Sequence, residues 1–442
     1  MKILMLSWEY PPRIVGGISR VVYDLAQELG KSGNEVHVVT YYEKGTKEIE
    51  KDGNVYVHRV HSYDVNSNNF IDWVLHFNFS MVEHCIKLVS QTGEFDIIHA
   101  HDWIVAFAAR VLKHAYQKPL VSTIHATEYG RNYGLHNDMQ RYISSIEWWL
   151  TYESWRVICN SNYMRQEIKH VFQLPDDKIS VIPNGVDIYK FKDVHRNIIF
   201  RRNYAADNEK IVFYVGRLVR EKGVHVLIDS IPKIASRYND VKFVVAGKGP
   251  EIDYLRSKAA NMGVENRVYF TGYISDADLL KLYKCADISV FPSLYEPFGI
   301  VALEGMVAET PVVVSNVGGL GDIVEHRVDG MKVSPGNADE LADSILELLF
   351  NPELVSSIKQ NALNKIKDVY NWELITKKTA EIYTEIIKNY KELTWKGLTI
   401  KEYIDDSSKA DSSQNYYLQM YGSSRKKHNK SSTKQTVIFE TK

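Results

Sequence analysis

Short apolar runs of strand length alternate with amphipathic stretches of helix length along most of this chain, in two successive sets. Runs at 3–7, 36–41, 55–60, 97–100, 120–124, 157–160 and 179–182 read as strands, and segments at 18–29, 70–89, 105–116 and 139–155 as helices. After a polar, charged stretch around 192–210 the rhythm restarts. Strands are predicted at 211–215, 241–246, 268–271, 288–291 and 311–315, and helices at 224–238, 251–262, 277–284, 338–349 and 354–369. Strands joined through helices lie parallel and are covered on both faces, so each set specifies an α/β layer structure around its own sheet. The fold class expected is α/β: two Rossmann-like parallel-sheet domains facing across a cleft. They span residues 1–192 and 193–371, and an amphipathic helix over about 372–395 crosses back to the first domain.

A length of 442 residues suits two domains, and 45% apolar residues can fill two cores. The net charge of −1 removes any whole-chain electrostatic case for nucleic acid or an anionic membrane as partner. Cys85, Cys159 and Cys285 are odd in number and lack metal-ligand spacing, so they read as small buried hydrophobes in a reducing compartment. The first apolar run is too short for a signal peptide before Glu9 interrupts it, and no window is long enough for a transmembrane segment. These features predict a cytoplasmic protein. Residues 405–442 turn to Ser, Asn, Lys and Gln, a composition that predicts a disordered tail whose basic cluster stays solvated.

Chemistry concentrates where predicted strands end. Glu296-Pro297-Phe298-Gly299 follows the run at 288–291 and opens a helix at Ile300. A helix starting there offers free backbone N–H groups, a seat for phosphate. Glu296 precedes that helix and Glu304 lies one turn inside it, the only charge between Pro297 and Ala308. Two carboxylates beside a phosphate suit a sugar nucleotide, one accepting from ribose hydroxyls and the other from the transferred sugar. Beyond the strand at 211–215, Arg217 and Lys222 form a cation pair that can stabilise a departing nucleoside diphosphate without proton transfer. Gly16-Gly17 after the first strand permits close backbone approach to a diphosphate or an acceptor, although any tight strand–helix turn can use glycine. Gly318-Gly319-Leu320-Gly321-Asp322 reads as another glycine-rich turn. His99, His101, Asp102 and His125 sit at first-domain strand ends; they are conceivable metal ligands but lack any recognised metal spacing.

Taken in order, these motifs resemble the retaining glycosyltransferases of GT-B fold, specifically the large family four, over residues 1 to about 390. The resemblance implies that Arg217 and Lys222 bind the donor diphosphate, Glu304 the ribose, and Glu296 the transferred sugar's hydroxyls. It implies further that the backbone of Phe298, Gly299, Ile300 and Val301 holds sugar and phosphates, and that Gly17 contacts phosphate. His125 matches a histidine beside the anomeric carbon, and Asp102 an acceptor-side acid. The family retains anomeric configuration, by front-face attack in which the donor phosphate takes the acceptor's proton, with no metal or other cofactor needed. Ser7-Trp8-Glu9-Tyr10-Pro11-Pro12, residues 99–103 and the Glu296-Pro297-Phe298-Gly299 variant are similar to α-glucan-making members of the glycogen synthase and maltose-1-phosphate synthase types. They imply glucose as the sugar and an α-glucan as the carbohydrate acceptor. One departure is Ile14, where the larger bacterial glycogen synthases carry a lysine.

Three other readings share the same donor site. One is a mannosyl- or other hexosyltransferase acting on a lipid or small-molecule acceptor. Another is a GT-B epimerase or hydrolase. The third is a sugar-nucleotide sensor, which would have no leaving group for Arg217 and Lys222 to stabilise. Trp73, Phe77, Trp148, Trp149 and Trp155 are candidates to stack on an acceptor sugar, with a core position the better fit to their spacing.

Overall fold

A computed structural model describes residues 1–63 and 69–392. The predicted tail and residues 393–395 of the crossing helix lie outside the described residues.

Two sheets form, parallel but for one edge strand of the first. The first has eight strands in the order Ile49–Asp52, Val55–Val60, Glu35–Tyr41, Lys2–Leu6, Ile97–His101, Leu120–Ile124, Arg156–Cys159 and Ile179–Val181. The second has six: Val268–Gly272, Val241–Ala246, Lys210–Val215, Ile288–Phe291, Val312–Ser315 and Met331–Val333. Alternate residues of each strand feed opposite faces. Leu4, Leu6, Ile98 and Leu120 join the helices on one side of the first sheet, while Ile3, Met5, Ile97 and Val121 join those on the other. Burial on both faces is what an unbroken apolar strand requires, and it accounts for the predicted strands forming as they do.

The strand Lys2–Leu6 sits between Glu35–Tyr41 and Ile97–His101, and Lys210–Val215 between Val241–Ala246 and Ile288–Phe291. In each sheet the connections therefore leave in opposite directions from the first strand. A crevice opens at such a switch point, beyond the strands' carboxyl ends. The loops that begin at Ser7, Asp102, Gly216 and Pro292 all start there.

The helix Trp372–Glu392 crosses back to the first sheet. Trp372, Ile375, Tyr383 and Ile386 are buried with Val21, Leu25 and Leu29, and Tyr383 Oη lies 2.6 Å from His99 Nδ1. Several elements are not predicted from the sequence, among them the sixth strand of the second sheet, Met331–Val333, and the short helices Glu128–Arg131 and Ile198–Arg201; three more differ from the sequence reading as well. Ile49–Asp52 pairs antiparallel with Val55–Val60, an edge strand that its run of charges concealed. Asn162–Phe172 is a helix, with Met164, Ile168 and Phe172 on its buried face and Ser161 as its N-cap. The expected glycine-rich turn at 318–322 is the start of a short helix, Gly318–Ile323. Three glycines within its six residues disfavour a helix and concealed it.

Candidate functional site

A cavity of about 550 Å³ opens between the two sheets' carboxyl ends. Its second-lobe wall is built by two interlocked loops. Gly223 adopts φ +67, and a side chain there would place Cβ 1.9 Å from the carbonyl oxygen of Pro292. The amides of Leu294 and Tyr295 both donate to the carbonyl of Glu221, at 2.7 and 3.2 Å. This seam brings Lys222 Nζ to 2.6 Å from Glu296 Oε2, an oxygen that Ser293 Oγ also approaches at 3.4 Å. Gly318 fixes Glu296 from behind: at φ +55, its Cβ would fall 1.9 Å from the Glu296 carbonyl oxygen, which accepts the Gly319 amide at 2.9 Å. The glycine motif thus supports the backbone of a wall residue.

Gly299, at φ +106, turns the chain into the helix Ile300–Val307. No side chain caps that helix, which leaves its first N–H groups without a side-chain acceptor where Gly299, Ile300 and Val301 line the cavity. Arg217 reaches the same space with its side chain half exposed, 3.8 Å from Glu221. Positive charge and backbone N–H groups therefore converge on one end of the cavity, an arrangement suited to a diphosphate.

The first-lobe wall is organised by buried polar groups. Glu9 is 1% exposed, and its Oε2 accepts from the amides of Val15 at 2.8 Å and Gly16 at 2.9 Å. Burial raises its pKa, against those two amides. Glu9 thereby shapes the loop that carries Gly17, whose Cβ position lies 3.4 Å from Ile300 of the facing lobe. The exposed Ile14 lies in the same loop. Asp102 has φ +60, donates its amide to Thr123 O at 3.0 Å, and accepts the His125 amide on Oδ1 at 2.7 Å. Burial pushes its pKa up to about 6, opposed by that amide and by Arg131. His125 is pushed down to about 3 by burial, and its Nε2 sits 3.1 Å from Nδ1 of His101, itself held well below the ordinary range. Both imidazoles are neutral at pH 7.

Of the residues expected at the site, Gly17, Asp102, His125, Arg217, Lys222, Glu296, Phe298, Gly299, Ile300 and Val301 all line this cavity. Glu304 lies one turn behind the wall at 3% exposure. Arg20 Nη1 at 3.0 Å and Lys190 Nζ at 2.7 Å share its Oε1, and Tyr283 Oη donates to Oε2 at 3.2 Å. Burial would raise its pKa, but Lys190 and Arg20 hold it below the usual carboxylate range. The aromatic candidates Trp73, Phe77, Trp148, Trp149 and Trp155 are absent from the wall. Phe77 is buried, Trp73, Trp148 and Trp155 pack on the first-lobe cores, and Trp149 lies under Arg110. On the first-lobe side the aromatic lining comes instead from Trp8, Phe70 and Trp103, and the second lobe adds Tyr214, Phe291, Tyr295 and Phe298. Sequence reasoning also passed over Glu9, although it lies within the segment beginning Ser7-Trp8. His99 faces away, bonded to Thr123 and Tyr383. Among the described residues, no group of three or more His, Cys, Asp or Glu is arranged to hold a metal ion. No helix among them is long and apolar enough to cross a membrane.

Comparison with known proteins converges on one family. Residues 15–190 match the family described as Glycosyltransferase Family 4, and residues 195–365 that described as Glycosyl transferases group 1. An uncharacterized glycosyltransferase of Methanocaldococcus jannaschii is 41% identical over 391 residues, 87% of this chain and 98% of that protein. The glycogen synthase of Mycobacterium tuberculosis is 33% identical over 397 residues, 87% of this chain and 94% of its own length. Among solved structures, sucrose-phosphate synthase from Thermosynechococcus elongatus superposes with a TM-score of 0.74 at 22% identity, covering 88% of this chain and 99% of that one. That likeness establishes the GT-B architecture.

Proposed function

The chain belongs to the family-four glycosyltransferases of GT-B fold, and from that premise we propose that it moves glucose from a nucleoside diphosphate sugar to an α-glucan-type carbohydrate acceptor. Transfer proceeds with retention of anomeric configuration and without a metal ion. The observation that carries this reading is the contact of Lys222 with Glu296 at 2.6 Å, beside an uncapped helix start and Arg217. The similarity to a glycogen synthase supports glucose and glucan in particular.

In this reading the donor diphosphate lies against the amides at Gly299–Val301, with Arg217 and Lys222 on its oxygens. As the bond from the anomeric carbon to phosphate oxygen breaks, negative charge grows on the diphosphate, and fixed cations stabilise it without reorganising. The acceptor hydroxyl forms its new bond on the same face, and its proton passes to the departing phosphate oxygen. No protein nucleophile takes part. Glu296, oriented by Lys222, accepts hydrogen bonds from hydroxyls of the transferred sugar. Neutral His125 hydrogen-bonds near the anomeric carbon without adding charge, and Asp102 receives the acceptor. The cations and amides supply the positive charge that a metal ion provides elsewhere.

The test is incubation with UDP-, ADP- and GDP-glucose, with and without EDTA, and with and without maltooligosaccharides. Nucleoside diphosphate release that requires the acceptor, with an α-linked product by NMR, supports the proposal. Free glucose or an epimerised donor would overturn it in favour of a hydrolase or epimerase. Loss of transfer in EDTA would overturn the metal-independent part alone.

A further inference from the structure

Glu304 is held by more positive charge than a buried carboxylate requires. One cation compensates its ionised form, yet Arg20 and Lys190 both contact Oε1. The two arrive on different bodies. Lys190 is held on the second lobe, although the boundary expected after 192 put it in the first, because its neighbours Val186 and Phe191 are buried there with Tyr283 and Ala302. Arg20 belongs to the first-lobe helix Ile18–Lys31, three residues after Gly17, and its fork spans two second-lobe acids: Nη1 to Glu304 at 3.0 Å and Nη2 to Asp276 at 2.6 Å.

From this difference we propose that Arg20 is a positioning residue that couples docking of the Gly16-Gly17 loop to the orientation of Glu304, and hence to the donor ribose. The inference rests on the assignment of Glu304 to ribose made above. A carboxylate offers about four acceptor sites, two on each oxygen. Arg20 and Lys190 occupy Oε1 and Tyr283 takes one site on Oε2, so the remaining site on Oε2 is the one left for a ribose hydroxyl. When the lobes part, Lys190 stays and keeps Glu304 ionised, while Arg20 leaves with the glycine loop. Closing restores the guanidinium and seats Gly17 against Ile300, above the uncapped helix start. Arg20 therefore acts on the closed, reacting state and not on capture of the nucleotide by the second lobe.

This separates turnover from binding. Arg20→Ala is expected to lower kcat by about tenfold or more, while the affinity for UDP and ADP, measured by calorimetry, stays within about twofold. Arg20→Lys restores part of kcat, since a point charge can reach Glu304 but cannot span both acids. Lys190→Ala is expected to weaken nucleotide binding itself. An Arg20→Ala protein that loses nucleotide affinity in proportion to kcat, or that keeps its kcat, overturns the proposal. A thermal melt of both Arg20 variants identifies misfolding, and Arg20→Lys then decides by the same two readouts. Glu304→Gln tests the premise separately: unchanged nucleotide affinity there removes the ribose assignment whatever the Arg20 variants do.

Discussion

On the second-lobe wall opposite charges meet at short range, Lys222 against Glu296 at 2.6 Å, with Arg217 alongside. On the first-lobe wall the ionisable groups are buried largely among one another: His125 against His101, and Asp102 against a backbone amide. The first arrangement sets cationic side chains beside an uncapped helix start, where an anion can be met. The second disfavours charge by burial, leaving neutral imidazoles and a carboxyl whose pKa is pushed up to about 6. A transferase that discharges an anion on one side and receives a neutral hydroxyl on the other has use for this asymmetry. Substitutions on the two walls should therefore fail in different ways.

The largest effect is expected on the charged wall. Lys222→Ala removes a cation from the place where, in the proposed reaction, negative charge develops, and leaves Glu296, only 8% exposed, with Ser293 as its remaining side-chain partner. Turnover should fall roughly 10²-fold or more while the protein stays folded, as is typical when a charge-stabilising group is lost. Steady-state kinetics with a circular-dichroism check decides it. Near-normal turnover in folded Lys222→Ala would remove the catalytic distinction between the walls.

That this wall was legible in the sequence, and the other only partly, has a physical cause. Glu296, the helix start and the Arg217–Lys222 pair act where the chain itself places them, just past strand ends, and strand ends can be read from apolar periodicity. Glu9 is different. It works by accepting two amides six and seven residues ahead in a loop with no periodicity to reveal it. Arg20 meets Glu304 across 284 positions, and only the docking of two lobes creates that contact. Glu304 shows the same limit from the other side. Its isolation in an apolar run signalled a partner, but not that two cations and a tyrosine would hold it behind the wall. The aromatic lining also depended on packing: helix periodicity marked Trp73 and Phe77 as core, but did not single out Phe70, on the same helix, as a lining residue.

The first-lobe wall should reveal itself through pH. Asp102 has a folded pKa of about 6 against an ordinary value of 3.8, so the folded state binds its proton more tightly than the unfolded chain does. Its contribution to stability is fully present below about pH 3.8 and is lost as pH rises through about 6. That loss is on the order of 2–3 kcal/mol. His99 and His125, lowered to about 3, run in the opposite sense: their contribution is present above about 6.5 and lost as pH falls toward 3. Comparing wild type with Asp102→Asn isolates the carboxyl. The variant should gain stability relative to wild type between pH 4 and pH 7, read from urea midpoints. A difference that is flat with pH would mean that the burial of Asp102 is relieved in solution.

The smallest effect is expected where the two walls are merely held together. Asp322, from the glycine-rich segment, accepts the amides of Asn162 at 2.7 Å and Tyr163 at 3.3 Å, at the start of the first-lobe helix Asn162–Phe172. Ser161 already caps that helix through the Met164 amide and also donates to the Pro297 carbonyl at 2.7 Å. Asp322 therefore adds a second cap from the opposite lobe, satisfying amides that a side chain within the same helix leaves open. Its site is solvent-accessible, so water can replace it. Asp322→Ala should cost about 1 kcal/mol in a denaturant melt and lower kcat by no more than about fivefold. Asp322→Asn should recover part of the stability, because an amide oxygen still accepts while the charge facing the helix start is gone. If Asp322→Ala instead matched the loss in Lys222→Ala, lobe docking would be limiting the chemistry, and the contrast in charge between the walls would not be what divides their roles.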